Sequence, residues 1–151
     1  MPRRCALRAD TEAGQVAGIL PRGIRLPGGL AGAQRTVLIT QERVLHIGNQ
    51  RPRWLGFCLR HIPDVLACPD YVGQRAHGDP RRVEFVRLVG HPTRWLLVSV
   101  KFLDEQGEAW VNSAHPVAAS YLTRRLRAGT MTEVREPRGR KGRRHHPLRG
   151  I

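Results

Sequence analysis

The chain has 151 residues, 40% of them hydrophobic, and 26 Lys and Arg against 12 Asp and Glu give a net charge of +14. That length holds one domain with one sizeable core. Three cysteines, Cys5, Cys58 and Cys68, do not make a disulfide framework or a zinc knuckle, and no apolar run approaches the ~18 residues of a membrane-spanning helix.

In chain order, residues 1–35 carry six Arg against Asp10 and Glu12 and few large apolar residues. They read as an irregular basic segment, because so little apolar surface cannot offset the entropy of ordering. The folded part is expected over 36–134. Thr36-Val37-Leu38-Ile39 is a short β-branched run and reads as a strand. Thr40 follows as an N-cap for a short helix through Val44 and Leu45, closing near Gly48 in its left-handed role. Pro52 opens a second helical stretch, Arg53 to Ala67, in which Trp54, Phe57, Cys58 and Ile62 recur at helical spacing and Pro63 interrupts. Tyr71-Val72 and the alternating Val83–Leu88 read as strands with a basic loop between them.

The clearest element is a hairpin, Trp95–Leu103 and Glu108–His115. Asp104-Glu105-Gln106-Gly107 has the chemistry of a type I turn closed by a left-handed glycine. That turn sets Lys101 opposite Val111, Ser99 opposite Ser113 and Leu97 opposite His115. Leu96, Val98, Val100, Phe102, Trp110 and Ala114 then share a core face, and Ser99, Lys101, Ser113 and His115 share the other. Asn112 falls on the core face without a reason. A last helix runs from Val117 to Ala128 and ends at Gly129. Residues 135–151, with seven basic groups and one acid, read as a disordered basic tail.

The overall fold class is therefore α+β. The charge favours an acidic partner, above all nucleic acid. Lys101 and Lys141 are the only lysines, so Arg supplies 24 of the 26 cations, a bias that GC-rich coding also produces. The first residues lack the apolar core of a secretory signal, so the cytoplasm is the expected compartment.

A His, a Lys and two Ser on an open sheet face have the equipment for RNA cleavage. A base takes the 2′-hydroxyl proton, an acid protonates the leaving oxygen and cations steady the phosphorane, without a metal or other cofactor. The same four residues are also what an ordinary solvated sheet face carries. His46, in the last turn of the first helix, is a second acid/base candidate or a helix-dipole partner.

The order of pieces resembles one known group. His46-Ile47, Arg51-Pro52, Pro69-Asp70-Tyr71-Val72 and Asn112-Ser113-Ala114-His115 stand where the phage-associated nucleases grouped with barnase, EndoU, colicin-type tRNases and RelE toxins have their short motifs. The resemblance spans about residues 36–128. It departs at Arg51-Pro52, where the family pattern has a His between the two; His115 would take that role. It implies helices packed on one face of a small twisted antiparallel sheet of four or five strands, and a metal-independent ribonuclease, toxin- or phage-associated, cleaving RNA through His46 and His115 with Ser113 and Lys101. Arg51, Arg53 and Ser99 would hold phosphate, and a cognate inhibitor or phage protein would be a partner. The competing expectations are a non-catalytic basic nucleic-acid-binding protein and a degenerate family member serving as a phage structural or interaction protein.

Overall fold

The computed structural model describes residues 14–27, 34–103 and 108–134. The chain folds as α+β: strands β1 (Gln15–Leu20) and β2 (Arg35–Ile39), helices α1 (Gln41–Gln50) and α2 (Leu55–Ala67), strands β3 (Tyr71–Gly73), β4 (Arg82–Val89), β5 (Arg94–Phe102) and β6 (Ala109–Val117), helix α3 (Ala119–Arg127) and strand β7 (Met131–Glu133). Among the described residues they build one open seven-stranded sheet in the order β1-β2-β6-β5-β4-β3-β7. All neighbours are antiparallel except β2 and β6, which run parallel through Val37–Ala109 and Leu38–Trp110.

The sheet is thus larger than the four or five strands expected, and mixed. The extra strands lie at both edges. One is β1, inside the stretch expected to be irregular: Ala17 and Leu20 are buried while Val16 and Ile19 stay exposed. Its register slips between Val16 and Gly18. A Cβ on Gly18 would meet Leu66 at 3.1 Å and the Pro63 backbone at 3.4 Å, so the bare glycine lets β1 cross α2 closely. The other is β7, a three-residue strand that begins two residues after Gly129, which takes φ 74° just past the end of α3.

The helices lie on both faces rather than one. Odd residues of β4 and even residues of β5, among them Val83, Phe85, Leu96, Val98, Val100 and Phe102, form the main core with Val44 and Ile47 of α1 and Cys58, Leu59, Ile62, Val65 and Leu66 of α2. The alternate residues Val86, Trp95 and Leu97 join Tyr71, Met131 and Leu122 of α3 in a second, smaller cluster. Because strand side chains alternate, α3 covers part of the face opposite α1 and α2.

Thr40 caps α1 as its position predicts: Oγ1 accepts from the Arg43 N–H at 3.2 Å. The helix runs past Gly48 to Gln50, with the Arg51 N–H bonded to the Ile47 carbonyl, so Gly48 is an interior residue packed on Leu55 rather than a terminator. Residues 52–54 form a 3₁₀ turn before α2, and α2 carries Pro63 inside it. Val117 belongs to β6, not to the last helix.

The hairpin turn at 104–107 lies outside the described residues, as does 135–151. The strands on either side of the turn settle the register. Ser99 faces Ser113 and Leu97 faces His115, as expected, but nearer the turn Val100 faces Val111 and Lys101 faces Trp110. Asn112 is the extra residue of a β-bulge between these two stretches. The bulge reverses the faces of the residues before it: Ala109 and Val111 are buried in the main core, and Trp110 turns to the second face beside Lys101. That accounts for Asn112 and corrects the expected placement of Trp110 and Val111.

Candidate active site

The polar side chains gather on the second face of the sheet, where Arg125 of α3 reaches Glu84. Three strands place them in register: Glu84 of β4 lies opposite Ser99 of β5, which lies opposite Ser113 of β6. One step toward the turn stand Arg82, Lys101 and Trp110. One step the other way, Val86 and Leu97 lead to His115. Directly paired residues point to the same side of a sheet, so Glu84, Ser99, Ser113, Lys101, Arg82 and His115 share one face.

Glu84 is the anchor, only 4% exposed. Its Oε1 accepts from Arg125 Nη2 of α3 at 2.7 Å, and Arg75 Nε, from the loop after β3, approaches Oε2 at 3.8 Å. Arg125 is itself held by Tyr121 Oη at 2.7 Å and Thr130 Oγ1 at 2.6 Å. Burial disfavours its charge, but the hydrogen bond and charge of Glu84, with the Tyr121 hydroxyl, outweigh it and raise its pKa. Beside this pair Ser99 is 3% exposed, and its buried hydroxyl has no hydrogen-bond partner among the described residues.

His115 is half-buried. Burial, then the positive charge of Arg51, lowers its pKa; Glu84 pulls the other way and Arg75 adds to the lowering. The imidazole is therefore neutral at pH 7, the form that accepts a proton. Arg51, the residue closing α1, thus acts on this histidine electrostatically. Lys101 sits 3.3 Å from Asp79, whose carboxyl is held below its usual range by the Arg81 N–H and by Lys101.

The residues singled out from sequence divide. Ser99, Lys101, Ser113 and His115 come together on one face, with Arg51 near enough to act on His115. His46 does not join them. It sits on α1, in the layer on the opposite side of the sheet, and makes no hydrogen bond or ion pair among the described residues. Arg53 is exposed in the 3₁₀ turn and makes none to this row. Sequence reasoning missed Glu84, Arg75, Arg82, Arg125 and Tyr121. A signal existed for Glu84: it is the one acid in the alternating stretch Arg82–Val89, on the face opposite Val83 and Phe85. A separate open cleft of about 960 Å³ lies between residues 23–27 and the β3–β7 edge. Arg75 borders both, but the cleft contains none of the acid/base row.

No protein-family model matches the chain, and neither a curated protein nor a solved structure matches it.

Proposed function

We propose that this protein is a metal-independent ribonuclease whose site is the second face of the sheet around His115 and Glu84. The observation that carries it is geometric: half-buried His115 shares one strand-presented face with Glu84, Ser99, Ser113 and Lys101, and burial and the charge of Arg51 lower its pKa. Neutral His115 accepts the proton of a ribose 2′-hydroxyl, and that oxygen attacks the adjacent phosphorus. Arg51, Arg75 and Lys101 neutralise the phosphorane, Ser113 orients it, and Glu84 stabilises the imidazolium. The imidazolium returns the proton to the departing 5′-oxygen. The products are a 2′,3′-cyclic phosphate and a free 5′-hydroxyl, so atoms and protons balance without a cofactor.

His46 and Arg53 have no part in this scheme. The resemblance to the barnase, EndoU, colicin and RelE group supports it through the matching segment Asn112–His115, and the chain's +14 charge suits a phosphodiester substrate. RNA turnover by the parent and by His115→Ala in EDTA tests it; a protein that binds RNA without cleaving it is the outcome that favours the binding-module reading instead. The cytoplasm remains the proposed compartment; among the described residues no helix is long and apolar enough to cross a membrane.

A further inference from the structure

A cross-strand row on the uncovered half of the second face has a composition of its own. Val16 of β1 pairs with Leu38 of β2, Leu38 with Trp110 of β6, Trp110 with Lys101 of β5, and Lys101 with Arg82 of β4. Read across the sheet, two aliphatic side chains lead to an indole and then to two cations. Val16 is 53% exposed. The residues of α3 pack around Trp95 and Leu97, at the other end of this face. Trp110 is fixed at both ends of its ring. Nε1 donates to Glu108 Oε2 at 3.1 Å, and a Cβ on Gly14 would lie 3.0 Å from Cζ3, so the bare glycine gives the far edge of the ring its place.

An immobilised aromatic ring beside cations is the arrangement that recognises single-stranded nucleic acid: bases stack on the ring whatever their identity, and the cations take the backbone. A second copy of this strongly basic chain would be repelled from the same row, whereas a polyanion is drawn to it. Neighbouring strands lie about 4.8 Å apart, so a base on Trp110 keeps its own phosphate within reach of Lys101 and Arg82. We propose that Trp110 is a base-stacking platform for one nucleotide of a single strand whose phosphates lie on Lys101 and Arg82, next to the Glu84–Ser99–Ser113 row. The proposal rests on the nucleic-acid part of the reading above and names the substrate form, an unpaired strand. It also gives Asp79 a role: at 3.3 Å from Lys101 it competes with phosphate for that cation.

The experiment is fluorescence anisotropy of the full chain with a labelled 2′-O-methyl-uridine decamer, which has no free 2′-hydroxyl to cleave, and with a blunt DNA duplex. Trp110→Leu lowers decamer affinity on the order of tenfold or more, leaves duplex binding and the melting temperature unchanged, and Trp110→Phe restores most of the loss. Asp79→Asn tightens decamer binding and steepens its salt dependence. The proposal is overturned if the parent fails to bind the decamer, if Trp110→Leu binds it as the parent does or loses decamer and duplex alike, or if Trp110 instead holds a dimer together without nucleic acid. Because the decamer cannot react, Trp110-dependent binding without any RNA turnover sinks the ribonuclease reading alone, and turnover without Trp110-dependent binding sinks this one alone.

Discussion

Glu84 and Arg125 meet at 2.7 Å with side chains 5% and 13% exposed, tying the central meander to a helix that packs on the face where the site lies. A buried pair of this kind contributes little net stability, but removing one partner strands the other. Arg125→Met should therefore destabilise the fold by about 3 kcal/mol, and adding Glu84→Gln to it should recover part of the loss. Urea unfolding of the two variants checks this. Equal stability of Arg125→Met and the parent would mean the pair is open to water.

The bulge at Asn112 makes a different prediction about its neighbours. Val111 is 1% exposed in the main core, and Asn112 is the half-buried extra residue. Val111→Asn should cost more than about 2 kcal/mol by burying an amide, whereas Asn112→Ala should stay within about 1 kcal/mol. The reverse order in thermal unfolding would restore the regular ladder.

Gly73 lies between β4 and β7, opposite both Glu84 and Met131. A Cβ there would collide with the Thr130 carbonyl and the Met131 backbone, which are fixed in the sheet and cannot yield cheaply. Gly73→Ala should separate β7 from β3 and cost more than about 1 kcal/mol, as other overpacked sites do. Hydrogen exchange at the Gln74 amide, bonded to the Thr130 carbonyl, would rise with it; unchanged exchange would contradict the close approach.

The strands β4, β5 and β6 and the Thr40 cap were legible because period-two alternation and a hydroxyl before a helix are local signals. The bulge was not. One inserted residue changes which face every earlier side chain takes, yet Asn112 differs from its neighbours only in falling where an apolar residue was expected. β1 was hidden for another reason: Ala17 and Leu20 are its buried pair, set in a Gly- and Arg-rich stretch. The parallel pairing of β2 with β6, and α3 on the second face, depend on contacts far apart in sequence. For the site, the four hairpin residues were readable from alternation, but His46 was placed by a short motif, and its layer is a tertiary fact. Arg125 reads as an ordinary helix-surface cation until the helix is docked.

On the proposed mechanism, the lowered pKa of His115 gives RNA cleavage a pH signature. The base must be neutral, so the rate should rise with pH and reach half its plateau below the ordinary histidine value of about 6.5. Arg51→Ala removes the second cause of the lowering and should move that midpoint upward. Folding follows the same sign. Between the depressed native pKa and the unfolded value the unfolded chain binds more protons, so stability falls as pH drops through that window. A midpoint above 6.5, or one that Arg51→Ala moves down, would contradict the assignment.

The most direct measurement is the cleavage of a defined single-stranded RNA by the full chain in EDTA, with product ends identified by mass spectrometry. The account predicts 2′,3′-cyclic phosphate ends from the parent and a rate about 10²–10⁴ lower for His115→Ala, with RNA binding retained. A parent that leaves the RNA intact, or a His115→Ala variant that cleaves it as fast, would contradict it.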